Sequence, residues 1–177
     1  MHSTIVTITA NSDKAGLPII WRLGRLTHVV TRILRARVSP ELARVEIELQ
    51  GTNQEQQLAN VYLQELGLIP TPPGTIAKLE SMPLPPEELV SRSNSITVRL
   101  DPVNALQRTS PILYRVGKDF DVVTNIQLAE FDLEQGGFLE VELSGALNEV
   151  QRAIAYLHTT GVHVNPYQRS VTNYSNL

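Results

Sequence analysis

Hydrophobic and polar positions alternate in two separate stretches of the chain, and each stretch leads through a glycine into a helical pattern. Residues 45–49 and 139–143 both place apolar side chains at every second position, with glutamates between them. This period of two predicts strands with one buried and one solvated face. A polar helix start and an amphipathic helix ending in Tyr-Leu and Gly follow each strand. The pattern therefore predicts two copies of one small unit.

The segments before these stretches repeat as well. In the first copy, residues 4–9 and 29–38 predict strands on either side of a helix that begins near Pro18. Leu68-Ile69 is expected to add a short fourth strand. The second copy repeats the order with strands at 96–100, 122–129 and 162–164, and with a helix from Ser110-Pro111. We therefore predict an α+β fold of two tandem ferredoxin-like βαββαβ domains that form an intramolecular pseudo-dimer.

Several positions carry more specific expectations. The second helix should begin at a Thr52 or Asn53 cap, and Ser110 should cap the helix that follows it. Gly24 and Gly117 fall at matching places, which indicates a close approach of helix and sheet. Three further expectations concern packing and loops: a second-helix core of Leu58, Val61 and Leu66, a loop over Val103–Arg108, and a hairpin turn at Gly136-Gly137.

Proline content divides the chain. Six of its eleven prolines lie within residues 70–95, which indicates a semi-rigid linker because proline removes backbone donors and favours extended conformations. A short helix over Pro85–Val90 fits within it. We predict domains at 1–69 and 96–165, joined by this linker and followed by a polar tail at 166–177.

Composition and charge restrict the function classes. With no cysteine, the chain offers no disulfide, thiolate metal site or cysteine nucleophile. No apolar run is long enough for a membrane span, and the N-terminus lacks a secretory signal pattern, so we expect a cytoplasmic protein.

Five arginines cluster near the N-terminus, whereas residues 96–165 carry nine acidic against five basic side chains. The cluster is either a solvated face or a basic surface for the acidic half, an acidic partner or an anionic ligand; its members are Arg22, Arg25, Arg32, Arg35 and Arg37.

Catalysis has little support in the sequence. The four histidines stand in no recognisable relation to a nucleophile or a metal partner. The glutamate pairs Glu46/Glu48 and Glu140/Glu142 are explained as the solvent-exposed face of an alternating strand. These acidic positions and the lack of sheet aromatics also argue against RNA recognition. We predict no enzyme, no metal, no cofactor and no nucleic-acid partner.

The second copy resembles a known family. Residues 110–120 (SPILYRVGKDF), 122–129 (VVTNIQLA), 137–145 (GFLEVELSG) and 153–157 (AIAYL) are similar to the NIL domain. The family's Asn-Ile-Leu motif appears here as Asn125-Ile126-Gln127 and, in the looser first copy, as Arg32-Ile33-Leu34. The resemblance implies an ACT-like, ferredoxin-like regulatory domain, found at the C-terminus of methionine-importing ABC ATPases, where it binds methionine and restrains transport. This sequence carries neither a Walker A loop nor a cysteine cluster.

Two helix starts are the predicted ligand sites, because unpaired N–H groups there suit a carboxylate. Neighbouring second-strand residues would add polar groups, and Arg32 could pair a carboxylate. The predicted ligand-binding residues are Leu17, Pro18, Ile19, Thr31, Arg32 and Ile33 in the first copy and Ser110, Pro111, Ile112, Thr124, Asn125 and Ile126 in the second.

Two functional hypotheses follow. In the first, the protein is a sensor that binds methionine or a related amino-acid-like metabolite at clefts between domains or subunits, and it forms a homo-oligomer. In the second, it is an adaptor that binds a protein partner through sheet edges, the Arg-rich segment or the tail. A sensor needs a cleft at Pro18 or Pro111, whereas an adaptor does not.

Overall fold

The chain folds into an α+β structure in which helices pack on one face of a seven-stranded antiparallel sheet. The computed structural model describes residues 1–71 and 86–167. The strands are β1 (His2–Asn11), β2 (Val30–Val38), β3 (Leu42–Gly51), β4 (Asn94–Asp101), β5 (Val122–Asp132), β6 (Gly136–Gly145) and β7 (His163–Tyr167). The five helices are α1 (Ile19–Thr27), α2 (Asn53–Glu65), α3 (Ala105–Thr109), α4 (Ile112–Asp119) and α5 (Leu147–Thr159), and a 3₁₀ turn covers Pro86–Leu89.

The sheet runs β1-β3-β2-β5-β6-β4-β7, so strands of residues 1–71, the N-terminal half, occupy one side. Strands of residues 94–167, the C-terminal half, occupy the other. The halves join where Arg35–Val38 pairs with Ala129–Asp132. Beyond this short ladder the two strands separate, and each carries a register irregularity at the sequence-matched place, between Ile33 and Arg35 and between Ile126 and Leu128. This separation leaves room for one cleft on each side of the ladder.

The alternating stretches build the core as the sequence predicts. Ile47 and Leu49 of β3 and Val141 and Leu143 of β6 are completely buried, while the glutamates between them face the other side of the sheet. Thr52 caps α2 in a full capping box, because its side chain accepts from the Glu55 N–H and the Glu55 carboxylate accepts from the Thr52 N–H.

Two predicted elements differ from the structure. Leu68-Ile69 forms no strand: Leu68 accepts one hydrogen bond, from the Thr9 N–H at 3.0 Å, and Pro70, which lacks a donor, follows directly. The predicted loop at Val103–Arg108 contains α3, whose cap is the Asn104 side chain accepting from the Gln107 N–H.

Two side-chain expectations are wrong. Ser110 does not cap α4, because the helix is preceded by Pro111 without a side-chain cap. Leu58 is 38% exposed, and α2 instead buries Gln56, Ala59, Tyr62 and Leu63.

The two matching glycines serve a helix–helix contact instead of a helix–sheet contact. A Cβ atom added at Gly117 would lie 2.6 Å from Cδ1 of Trp21, and one added at Gly24 would lie 3.2 Å from Cδ2 of Tyr114. Each glycine of one helix therefore receives an aromatic ring from the other helix, and α1 packs on α4 across the two halves.

The predicted short helix at Pro85–Val90 is present as the 3₁₀ turn Pro86–Leu89. The rest of the predicted linker falls mostly on residues 72–85, and the tail falls mostly on 168–177. Both ranges lie outside the described residues, so the domain boundaries stay predictions. Within the described ranges, no helix combines the length and apolar character needed to cross a membrane.

Candidate functional site

Two clefts lie where β2 and β5 separate, one on each side of the junction. The Pro18 cleft is formed by the start of α1, the end of β1 and the first part of β5. The Pro111 cleft is formed by the start of α4, the end of β4 and the first part of β2. Each cleft therefore combines a helix start and a strand end of one half of the molecule with the first part of a strand from the other half.

Eleven of the twelve predicted ligand residues line these two clefts. The Pro18 cleft contains Leu17, Pro18 and Ile19 together with Thr124, Asn125 and Ile126. The Pro111 cleft contains Ser110, Pro111 and Ile112 together with Thr31 and Ile33. The sequence grouped each helix start with the strand of its own copy, and the structure exchanges the strands. Sequence reasoning missed this exchange because it depends on the antiparallel β2–β5 contact between the halves.

Arg32 is the exception. It lies opposite Glu48 in the β2–β3 ladder and forms an ion pair with that carboxylate, on the sheet face that points away from the helices. Burial raises the pKa of Glu48, but hydrogen bonds from Ser3 and Gln50 and the charge of Arg32 outweigh this and lower the pKa overall. The expectation that Arg32 pairs a ligand carboxylate at the helix start is therefore wrong, because strand alternation directs it to the opposite face.

Both helix starts share one backbone geometry. Pro18 has φ −78° and ψ 62°, and Pro111 has φ −78° and ψ 60°. The N–H of the following isoleucine donates across the proline, from Ile19 to Leu17 O at 2.8 Å and from Ile112 to Ser110 O at 2.9 Å. Neither start has a side-chain cap. No side-chain oxygen therefore offsets the partial positive charge of either helix N-terminus.

The Pro111 cleft contains polar atoms without partners. Thr31 is 3% exposed, and its hydroxyl makes no hydrogen bond within the described residues. Arg108 also lines this cleft and donates to the carbonyl oxygens of Glu134 (2.6 Å) and Val103 (3.1 Å), while its buried Nε has no partner there. A buried hydroxyl that bonds nothing costs free energy, so Thr31 is a polar group available to a ligand. Sequence reasoning missed Arg108 because its segment was predicted to be a loop, whereas it folds into α3.

The Pro18 cleft is more apolar, and one hydrogen bond joins its two sides. Asn125 Nδ2 donates to the carbonyl oxygen of Gly16 at 2.9 Å, which ties β5 to the loop before α1. Lys14, another lining residue missed from the sequence, donates from Nζ to the carbonyl oxygen of Leu66. The Asn of the family-like motif is therefore used to join the two halves.

Both clefts are narrow in this structure. Each holds about 40 Å³ of free space, which suits a few water molecules and not an amino acid. A ligand of amino-acid size would have to widen the gap between helix and strand. Because those walls belong to different halves, widening the cleft would move the halves relative to each other.

The arginine cluster is used in several ways. Arg25 pairs with Asp121 at 3.2 Å and Arg35 pairs with Asp132 at 2.8 Å, so two of the five arginines meet the acidic half as the sequence suggested. Backbone N–H donation from Glu134, followed by the Arg35 guanidinium, lowers the pKa of Asp132. Arg37 lies opposite Arg44 in the β2–β3 ladder and lines a shallow recess of about 390 Å³ on the open face of the sheet.

Arg22 forms a buried ion pair with the segment that follows the predicted linker. Its Nε donates to both carboxylate oxygens of Glu87, at 3.0 and 3.1 Å, and its Nη1 lies 3.5 Å from the Tyr62 hydroxyl. Arg22 and Glu87 are only 7% and 6% exposed. Desolvation lowers the pKa of Arg22, but the hydrogen bonds with Glu87 and Tyr62 outweigh it and raise the pKa above its ordinary value. The 3₁₀ turn is thereby fixed to α1 and α2.

No metal-ligating constellation accompanies these clefts. Within residues 1–71 and 86–167, no group of three or more histidine or carboxylate side chains is placed to hold a metal ion. The chemistry that the clefts offer is helix-start N–H groups, one buried hydroxyl and apolar walls. Such an arrangement suits binding of a small polar group attached to an apolar one.

Comparison with known proteins identifies a family in the C-terminal half. The family model of the NIL domain matches residues 104–166, which confirms the resemblance noted from the sequence. The NIL domain is a regulatory, ligand-binding type of domain without catalytic activity. A search of curated proteins found no match.

Proposed function

We propose, from the NIL domain match at residues 104–166, that this protein is a non-catalytic regulatory module that senses a small amino-acid-like metabolite. In this proposal the two halves are tandem ferredoxin-like units that form an intramolecular pseudo-dimer. The ligand would bind between the units, at the Pro111 cleft in particular. The cytoplasm is the compartment that we infer for it from the absence of cysteines.

The observation that carries the proposal is the unpaired Thr31 hydroxyl in the Pro111 cleft. This hydroxyl comes from β2 of one half and faces a cleft whose opposite wall is the uncapped start of α4 in the other half. A ligand carboxylate or carbonyl would accept from the Thr31 hydroxyl and lie in the field of the helix N-terminus. Charge-assisted hydrogen bonds of this kind are stronger than neutral ones.

The remaining walls suit an apolar side chain. Ile33 and Ile112 line the cleft from opposite halves, and the buried side chains of Leu113, Phe131 and Leu139 line it as well. A molecule with a polar head and an unbranched apolar tail would satisfy both parts of the cleft. Methionine and related amino acids have this form, which is the class that we propose.

Ligand binding would act as a regulatory signal through the geometry of the two halves. The free space of about 40 Å³ is smaller than an amino acid, so binding requires that β2 and α4 move apart. The halves meet through the short ladder, the α1–α4 contact and the contacts of α1 with β5 and of α4 with β2. A change in their relative position is therefore the expected response to occupancy.

Isothermal titration calorimetry against a panel of amino acids, with methionine included, tests this proposal. We expect at least one amino acid with an apolar side chain to bind. The T31V variant should weaken that binding by about tenfold, because it removes the hydroxyl and keeps the size of the side chain. The matched T124V variant in the Pro18 cleft should bind as the wild type does. Silence from the whole panel would refute the proposal, and equal losses in both variants would refute its assignment to the Pro111 cleft.

A further inference from the structure

Each half of the molecule carries an arginine and a tyrosine at matching helical positions. Arg22 of α1 and Tyr62 of α2 form the pair in the N-terminal half. Arg115 of α4 and Tyr156 of α5 fall at the matching places in the C-terminal half, ninety-three and ninety-four residues later. In both halves these two helices pack against each other. The structure shows what the Arg22–Tyr62 pair binds, and that contact indicates what the Arg115–Tyr156 pair could bind.

The N-terminal pair holds a carboxylate. Glu87 accepts from Arg22 Nε through both oxygens, and the Tyr62 hydroxyl lies beside the guanidinium. The carboxylate is presented by the 3₁₀ turn Pro86–Leu89, which lies against α1. This position therefore accepts an acidic side chain carried on a proline-initiated turn, with two-oxygen recognition by arginine.

The C-terminal pair has no such partner within the described residues. Arg115 is exposed and makes no side-chain hydrogen bond or ion pair there, and no hydrogen bond of the Tyr156 hydroxyl is found in the same ranges. The sequence contains Pro-Glu-Glu-Leu only once, at residues 86–89, where Glu87 is already engaged. The C-terminal half thus presents the matching arginine and tyrosine without the acidic turn.

At neighbouring positions the C-terminal half keeps one basic side chain and gains another, and it also gains one acidic side chain. Arg152 stands where the N-terminal half has Leu58, and its guanidinium lies 5.5 Å from the centre of the Phe120 ring. Lys118 keeps the positive charge that Arg25 has at the matching place in the N-terminal half, and it lies 5.9 Å from the centre of the Tyr114 ring. Two carboxylates lie close by: Glu149 pairs with Arg152 at 2.6 Å, and Asp119 is exposed at the end of α4.

We propose that Arg115 and Tyr156 form a docking surface for an acidic segment of a partner protein, with a glutamate presented on a proline-initiated turn as in residues 86–89. Two-oxygen pairing of the glutamate with Arg115 supplies most of the recognition, and Lys118 and Arg152 favour an acidic approach. A second copy of this chain is a less suitable occupant, because donating its own Glu87 would leave its Arg22 buried without a partner.

A peptide titration followed by NMR tests the docking surface. The probe is a synthetic peptide of residues 83–92, PLPPEELVSR, added to the ¹⁵N-labelled full chain. We expect amide shifts on α4 and α5 around Arg115 and Tyr156. A peptide with glutamine at both glutamate positions should bind about tenfold more weakly, since it loses the charge that arginine recognises.

Variants of the protein complete the test. R115A should weaken peptide binding by about tenfold and Y156F by a smaller factor, whereas R44A, an exposed arginine on the open face of the sheet, should not change it. Because Arg115 is exposed, its variant should fold normally, and its unchanged thermal midpoint checks this. Shifts confined to the region of Arg22, shifts unaffected by R115A, or no shifts at millimolar peptide would each overturn the proposal.

Discussion

The N-terminal and C-terminal halves contain the same elements, but matching polar side chains differ in burial and in their partners. In the N-terminal half, Arg22 is buried and bound to Glu87, and Arg32 is bound to Glu48. In the C-terminal half, the matching Arg115 is exposed, and the matching Asn125 reaches across to Gly16 of the other half. Residues that stabilise one half from within are thus exposed, or connect the halves, in the other.

The two clefts show the same contrast. The Pro18 cleft uses Asn125 to close a hydrogen bond between its walls, while the Pro111 cleft keeps the Thr31 hydroxyl buried and unpaired. If one of the two clefts suffices for function, the residues at the other cleft can change to ones that stabilise the fold. The following predictions compare matched positions and separate these two uses.

The largest expected effect comes from the buried ion pair. Replacing Glu87 by glutamine leaves Arg22 buried without its counter-charge, so we expect a loss of about 3 kcal/mol in the free energy of unfolding. The matched change, Arg115→Ala, removes an exposed side chain and should cost less than about 0.5 kcal/mol. Urea unfolding of both variants gives the comparison. Equal losses would mean that Arg115 is as structural as Arg22.

The two matched glycines should differ in a similar way. Gly117→Ala places a Cβ atom 2.6 Å from the ring of Trp21, which is itself 4% exposed and would have to shift, so we expect a loss of about 1–3 kcal/mol in the free energy of unfolding. Gly24→Ala meets Tyr114 at 3.2 Å, and the gain in helix propensity of about 1 kcal/mol offsets the contact.

Thermal unfolding of the two glycine variants checks this order. A larger loss for Gly24→Ala would show that the α1–α4 contact is tighter at Tyr114 than at Trp21. If neither variant lost stability, the α1–α4 contact would be loose enough for the two helices to move apart. Such a loose contact would favour the proposed movement of the halves.

What the sequence could predict was the content of each half. The period of two in residues 45–49 and 139–143 identified the core strands, because burial on one face is a local property. The helix starts at Pro18 and Pro111 were equally local. Leu58 was misjudged because α2 has few apolar residues, and a shift of one position then changes which face is buried.

What the sequence could not predict was which half supplies each wall of a cleft. Eleven of the twelve predicted ligand residues line the clefts, but their grouping depends on the β2–β5 ladder, which no local pattern encodes. Arg32 failed for a related reason: its face follows from strand alternation, yet its charge suggested a ligand. The strand-exchanged grouping of the walls was therefore a property of the assembled sheet alone.

The unpaired hydroxyl gives a smaller effect. Thr31→Val removes a buried polar atom that lacks a partner, so the ligand-free protein should become more stable by about 1 kcal/mol. Thr124→Val at the matching position should change stability less, because no buried unpaired hydroxyl is found there among the described residues. Differential scanning calorimetry without ligand measures both. Destabilisation by Thr31→Val would indicate that a water molecule or another group already satisfies the hydroxyl.

The smallest effect concerns the ion pair across the junction. Hydrogen bonds from the Glu134 backbone and the Arg35 side chain hold the pKa of Asp132 below its ordinary value of 3.8. A carboxylate with a lowered pKa in the folded state contributes stability above its unfolded pKa and loses that contribution as the pH falls through the folded pKa. The thermal midpoint of the wild type should therefore exceed that of Asp132→Asn at pH 7, and the difference should shrink below about pH 4.

Asp121→Asn is the matched control for this pH dependence. Asp121 also pairs with an arginine of the other half, Arg25, but its side chain is 77% exposed and the pair spans 3.2 Å. Exposed pairs of this kind contribute little, so its midpoint should follow the wild type at both pH values. If the Asp132→Asn difference persisted unchanged at low pH, the contribution of Asp132 would come from its shape in the turn before β6. The charge across the β2–β5 junction would then not help to hold the halves together.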